Sequence, residues 1–199
     1  MAIDLACIVE GHGEVEAIPV TIRRIANLVA PKLALKIHPP FRVPRKRLVK
    51  PDELERSVEL AARRAGINGA ILIVLDGDDD CPAAVGPELL ARAQKARSDI
   101  PIRVVLAKRE FEAWFLASAK SLRGRRGLAR DLEAPSDPEA IRGAKEWLTA
   151  RMGTRQRYVE TLDQPALAAV FDLESARKGS PSFDKLVRDI VDLAHEFGE

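Results

Sequence analysis

The sequence predicts an α/β fold, a mainly parallel central sheet flanked by helices with a helical extension at its C-terminal end. Three observations carry this reading. Short apolar runs alternate with segments of helical periodicity through roughly the first 120 residues. Ala70 to Leu75 is an unbroken apolar run, the mark of a strand buried on both faces of a parallel sheet. After Lys120 no strand pattern returns.

The elements follow in order. Ile3 to Val9 is an apolar run that ends in Glu10-Gly11-His12-Gly13-Glu14. Ile18, Ile22, Ile25 and Val29 then recur at helical spacing, and Pro31 stops the pattern. Leu33 to Ile37 alternates weakly, as a second strand would. Pro39, Pro40 and Pro44 make the next stretch irregular. Pro51-Asp52-Glu53 opens a helix with acids in its first turn, where the helix dipole favours them. That helix turns Leu54, Val58 and Ala61 inward and ends near Gly66. Ala70 to Leu75 is the central strand and runs into Asp76-Gly77-Asp78-Asp79-Asp80. Pro87 to Arg97 reads as a helix, Ile102 to Ala107 as a strand, and Ala113 to Ala119 as an apolar helix. Ser121 to Arg130 is rich in Arg and Gly and reads as a loop. Helices are expected from Asp137-Pro138 to about Arg151, over Gln164 to Phe171 and over Phe183 to Phe197. The expected division is an α/β core over residues 1–120 and a helical extension, packed on that core, over 121–199.

Composition excludes several classes. Lys and Arg number 32 against 30 Asp and Glu, so bulk charge alone does not recruit nucleic acid. Apolar residues at 46% exclude wholesale disorder. Cys7 and Cys81 are too few for a disulfide scaffold or a four-thiolate zinc site. No window approaches the roughly 18 uncharged apolar residues of a membrane span. The first residues carry no basic signal-peptide region, so a cytoplasmic location, with reduced thiols, is expected.

The chemistry is expected at the strand ends. Glu10, Asp76 with Asp78, and Glu110 with Glu112 each lie just past the C-terminal end of an apolar strand. In a parallel sheet those ends share one edge, where ligands bind. Glu14, one helical turn beyond Glu10, can face the same cleft. Of the pair after the last strand, Glu112 is preferred, because Phe111 and Trp114 beside it would hold its helix on the sheet. Two like charges 4 Å apart repel by about 4 kcal/mol at an effective dielectric near 20, so such a cluster protonates or takes a cation. Carboxylates select hard ions, so Mg²⁺ or Mn²⁺ is the expected partner. Two such ions clamp the attacking and leaving oxygens of a phosphoryl displacement. Structural roles compete at every position, since acids after strands also cap helices and form turns. The loop Gly11-His12-Gly13 lacks the third glycine of a dinucleotide fingerprint and the Lys-Ser/Thr of a P-loop.

Val9-Glu10-Gly11-x-x-Glu14 after one strand, with Leu75-Asp76-Gly77-Asp78 after a later one, resembles the Toprim domain of topoisomerases, primases and OLD-type nucleases. The flanking segments Val-Glu-Gly-His-Gly-Glu, Asp-x-Asp-Asp-Cys-Pro and Arg-Glu-Phe-Glu-Ala-Trp-Phe-Leu are closer still to the small bacterial proteins of the DUF4276 group. The likeness covers about residues 3–120, with an echo at Ser180 to Lys185. It implies a Rossmann-like parallel sheet. It also implies that Glu10 is a general acid/base or metal ligand and that Asp76 and Asp78 hold Mg²⁺. Glu14 and Glu112 match the further acids of a two-metal site in the OLD-type nucleases. Such relatives often act beside an ATPase in defence against phage. Tyr158 is the one tyrosine, and neither a topoisomerase tyrosine domain nor a primase zinc-binding domain is discernible, so the resemblance points to a small nuclease.

Two basic stretches flank the acids. Residues 41–50 carry Arg42, Arg45, Lys46, Arg47 and Lys50 with no acid. Residues 120–157, which include Arg123, Arg125 and Arg126, carry ten Lys or Arg against five Asp or Glu. Positive segments around an acidic cleft would hold a phosphate backbone. Aromatic residues are scarce at 5%, which argues against base stacking as the main mode of binding. The expectation is therefore a Mg²⁺-dependent nuclease with Glu10, Asp76 and Asp78 catalytic, nucleic acid as substrate and an ATPase as possible partner. The rival is a non-catalytic Toprim-like module that binds nucleic acid or the ATPase.

Overall fold

The computed structural model describes residues 2–154 and 156–198; Arg155, counted in the second basic stretch, lies outside them. The chain begins with strand β1 (Ala2–Val9), helix α1 (Glu14–Val29) and strand β2 (Ala34–Ile37). A two-residue strand β3 (Phe41–Arg42) and a one-turn helix α2 (Arg45–Leu48) follow, then α3 (Glu53–Ala65), β4 (Gly69–Asp76), α4 (Pro82–Ala96) and β5 (Ile102–Ala107). The second half holds α5 (Ala113–Ala117), three short 3₁₀ turns, α6 (Ala144–Thr149), α7 (Glu160–Ala168), α8 (Leu173–Gly179) and α9 (Pro181–Glu196).

All strand pairs are parallel, in the order β2-β1-β4-β5. β3 continues the β2 edge, pairing Phe41 and Arg42 with Ile8 and Val9 of β1. Alternation along the strands serves two cores. Leu5, Cys7, Val9, Leu72, Val74 and Val105 face α1 and the C-terminal helices. Ala6, Ile8, Ile71, Ile73, Leu75 and Val104 face α3 and α4. That double burial is why β4 is apolar without interruption.

After β1 the chain moves outward to β2, then crosses back over β1 to enter β4. The order therefore reverses between β1 and β4, and their C-terminal ends, carrying Glu10 and Asp76, open on that switch point. In open α/β sheets ligands bind in that crevice.

The helices after residue 120 complete the first core. α7 packs on α1 and α9 on β5. Phe111, Trp114, Phe115, Phe171 and Phe183 form one aromatic cluster with ring centroids 4.6 to 5.4 Å apart. Trp114 Nε1 donates to Ser182 Oγ at 2.9 Å, which satisfies its buried indole N–H.

Several boundaries differ from the sequence reading. The helix expected from Pro87 starts at Pro82, because a proline fits the first helical position, and Pro87 is carried inside it. The expected Asp137–Arg151 helix is broken. Asp137 does cap Ala140 N–H, but only a 3₁₀ turn follows, and Gly143 at φ 69° resets the chain before α6. The helix expected over Gln164 to Phe171 starts four residues earlier, at Glu160, and carries Pro165 inside it. The proline-rich stretch before residue 50 holds β3 and α2, where no regular structure was expected.

Candidate active site

Glu10 follows β1, and its backbone N–H donates to Glu14 Oε2 at 3.0 Å. Glu14 opens α1 and is 3% exposed. Asp76 ends β4, where its Oδ1 accepts the Phe111 N–H at 2.7 Å. This bond ties the loop after β5 to the end of β4. It places Glu112, fully buried, at the N-terminus of α5. Three strand ends thus bring Glu14, Asp76 and Glu112 within electrostatic reach of one another.

Burial pushes all four carboxyls upward. Desolvation, with a smaller push from neighbouring carboxylates, raises Glu14 and Glu112 to about 7. Burial, with Glu14 and Glu112 beside it, raises Asp76 well above the ordinary carboxylate range. Glu10 is raised by desolvation and by Asp78, and is only half-buried. One cation answers this charge from within: for Lys145 of α6, burial disfavours the ammonium, but Glu112, Glu160 and Asp76 outweigh that and raise its pKa.

The C-terminal half supplies the rest of the site. Tyr158 OH donates to Glu112 Oε1 at 2.9 Å, and Gln164 Nε2 donates to the same oxygen at 3.2 Å. Lys145 Nζ donates to Glu160 Oε2 at 3.0 Å, and Gly13 N–H donates to Glu160 Oε1 at 3.1 Å. Sequence reasoning missed Lys145, Tyr158, Glu160 and Gln164. They carry no motif, and only the packing of α6 on α5 and of α7 on α1 brings them to the strand ends.

The remaining expected residues are placed as follows. Asp78, at φ 46°, has a largely exposed side chain that pairs with Arg45, whose Nη1 lies 3.0 Å from Asp78 Oδ2. Arg45 also pairs with Asp80 and donates to the Gly77 carbonyl. Arg47 pairs with Glu53, Arg123 with Glu133, and Arg126 with Asp163. Arg42, Lys46 and Arg125 are exposed and make no ion pair among the described residues. Glu110 accepts the Ala144 N–H at 3.1 Å, while His12 is exposed in the loop. Cys7 is buried and Cys81 exposed, and both are free thiols.

Two carboxylate oxygens, Glu10 Oε2 and Glu112 Oε2, are buried without a hydrogen-bond partner. Such orphans are costly unless protonated or met by a cation. The donors are hard oxygens, as Mg²⁺ or Mn²⁺ requires. In the arrangement described, however, no three His, Cys, Asp or Glu side chains converge closely enough to hold an ion among the described residues. The donor chemistry fits a divalent cation, and loading it requires side-chain rotation.

Among the described residues no helix is long and apolar enough to cross a membrane. No curated protein and no solved structure matches the chain. The profile of the family described as a domain of unknown function, DUF4276, matches residues 9–190, which spans both the strand-end acids and the helices that cover them. The chain belongs to the DUF4276 family.

Proposed function

We propose that this protein is a Mg²⁺- or Mn²⁺-dependent phosphoryl-transfer enzyme of the cytoplasm that hydrolyses phosphodiester bonds of nucleic acid. The single observation that supports this most is the convergence of Glu14 and Glu112, both buried, with the half-buried Asp76 at the switch point of a parallel sheet, beside Glu10. Glu10, Glu14, Asp76, Asp78 and Glu112 would hold the divalent ions, which supply Lewis acidity and a nucleophilic water at neutral pH. Tyr158 and Gln164 fix the orientation of Glu112 through Oε1, leaving Oε2 for a ligand. The Phe111 N–H does the same for Asp76. Glu10, less buried than Glu14 and Glu112, would be the group that moves a proton. The placement of these acids supports a Toprim-like relationship, with the OLD-type nucleases as the nearest functional analogy. A role beside an ATPase in phage defence follows from that analogy.

The test is cleavage of labelled DNA and RNA with Mg²⁺ or Mn²⁺, wild type against Asp76→Asn. The variant keeps the acceptor for the Phe111 N–H but loses the charge, and cleavage is expected to fall at least about a hundredfold. Equal cleavage by both proteins removes the reading. A second reading, a non-catalytic module that docks nucleic acid or an ATPase, is favoured by one observation. Arg45 occupies Asp78 and Asp80, and no three acids among the described residues converge as they stand. Capture of a partner ATPase without metal-dependent turnover supports it.

A further inference from the structure

Two acids of the candidate site are closed from solvent, and the first turn of α7 lies against them. Glu14 is 3% exposed and Glu112 not at all. Gln164 Nε2 of α7 donates to Glu112 Oε1. A Cβ on Gly11 would lie 2.8 Å from Glu160 Oε1 and 3.2 Å from Glu14 Oε1, so the Glu160 and Glu14 carboxylates approach the same point. A carboxylate without exposed surface meets no ligand from solvent, so part of the structure must move before this site is used.

The two ends of α7 are held by different forces. Leu167 and Ala168 are fully buried in one core with Phe171. Arg24 Nη1 and Nη2 donate to the Ala168 and Phe171 carbonyls at 2.8 and 2.7 Å. The first turn, residues 160–164, has no such apolar anchor: Leu162 is 61% exposed, and the buried side chains are the polar Asp163 and Gln164. Polar bonds hold this turn, from Glu160 to Lys145 Nζ and the Gly13 N–H, from Gln164 to Glu112 and from Asp163 to Arg126. Water can replace such bonds at small net cost, whereas it cannot replace apolar burial. Pro165 lies between the two ends. It has no N–H for the Thr161 carbonyl, and its ring crowds that carbonyl, so the helix is weakest there. The closed arrangement also leaves Glu112 Oε2 and Gln164 Oε1 buried without a partner, and opening hydrates both.

We propose that residues 160–164 form a lid over the acids, hinged at Pro165 and latched by the Lys145–Glu160 pair, and that a ligand reaches Glu14 and Glu112 only when the lid is open. The inference rests on the reading of these acids as the working site and adds how access to it is controlled. Lys145 is the latch for an electrostatic reason. Closing brings the Glu160 carboxylate toward that of Glu14, and the Lys145 ammonium, 3.0 Å from Glu160 Oε2, offsets the repulsion.

Amide hydrogen exchange followed by NMR reads the lid, because the buried Gly13 donates its N–H to Glu160 Oε1 yet belongs to no part of α7. In the wild type, Gly13 and Asp163, whose N–H donates to the Val159 carbonyl, are expected to share one opening equilibrium. That opening should be at least about tenfold more populated than the one that exposes Phe171 of the anchored end and Ile22 of α1. Lys145→Met should speed Gly13 exchange by about tenfold, and Pro165→Ala, which restores the missing helical bond, should slow it by about tenfold. Neither substitution removes the acceptor of the Gly13 N–H. Titration with Mn²⁺ followed by electron paramagnetic resonance reads access. Apparent affinity scales with the open fraction, so Pro165→Ala should weaken Mn²⁺ binding by the factor that slows exchange. Gly13 exchange that merely follows Phe171 and Ile22, or that Pro165→Ala leaves unmoved, overturns the lid. So does Mn²⁺ binding of unchanged strength in a variant whose exchange is slowed. If exchange responds as expected but no protein binds Mn²⁺ or cleaves nucleic acid, the lid stands and the nuclease reading fails. Cleavage without a separate opening at Gly13 removes the lid and leaves the nuclease reading in place.

Discussion

Glu112 shows how far a single residue's role is set by what surrounds it. In the sequence it is one of two acids after an apolar strand, and only the neighbouring Phe111 and Trp114 favour it over Glu110. In the structure Glu110 caps Ala144, while Glu112 is fully buried, holds two hydrogen bonds on one oxygen and leaves the other bare. Desolvation holds Glu112 and Glu14 at about 7, against an ordinary 4.5. The folded carboxyls therefore bind protons more tightly than the unfolded ones. Their contribution to stability is fully present below about pH 4.5 and is lost as pH rises through about 7. Urea unfolding in chelator is expected to show this loss, and Glu112→Gln, which keeps both hydrogen bonds but cannot ionise, should lose less over the same range. Added Mn²⁺ should restore wild-type stability at neutral pH and do little for the variant. Parallel pH profiles for the two proteins would show that Glu112 does not titrate as a buried acid.

At the scale of elements, α7 decides whether the site is closed. Its first residue, Glu160, accepts the Gly13 N–H, and its Gln164 reaches Glu112. Gly13 sits at φ −68°, so its backbone needs no glycine. The need is space: a Cβ there would lie 2.3 Å from Gln164 Oε1 and 2.7 Å from the Glu160 carbonyl. Gln164 can swing aside, but the carbonyl belongs to the helix backbone. Gly13→Ala is expected to cost about 1 to 3 kcal/mol in urea unfolding and to loosen α7 over the acids. An unchanged midpoint would mean that α7 yields freely. The strands and α1 were legible because apolar runs and helical spacing report burial directly. The acids at their ends were legible because parallel pairing turns sequence position into a shared edge. Lys145, Tyr158, Glu160 and Gln164 were not, since nothing local in α6 or α7 records which helix they cover. The 137–151 segment misled for a local reason: Asp137 caps a first turn as expected, and Gly143 in the left-handed region then ends it.

For the whole molecule, the question is whether the α/β half stands without its helical half. One face of the sheet answers it. Cys7, Val9, Leu72, Val74 and Val105 belong to the same core as Tyr158, Leu167, Phe171, Phe183, Leu186 and Ile190, and α1 covers only part of that face. Phe111, Trp114 and Phe115 lie within the first 120 residues but pack into an aromatic cluster completed by Phe171 and Phe183. Each large apolar side chain returned to water costs roughly 1.5 to 3 kcal/mol. Exposing several exceeds the about 5 to 15 kcal/mol that hold a typical domain together. The buried acids compound the loss, because Glu112 would keep its charge problem and lose Tyr158, Gln164 and Lys145 at once. A fragment of residues 1–120 is therefore expected to bind a hydrophobic dye and to show no cooperative urea transition, whereas the full chain unfolds in a single step. A sharp transition in the fragment would mean that the first half is an autonomous domain. The site would then be assembled by docking of the second half, and acids and helices would be separable parts rather than one folding unit.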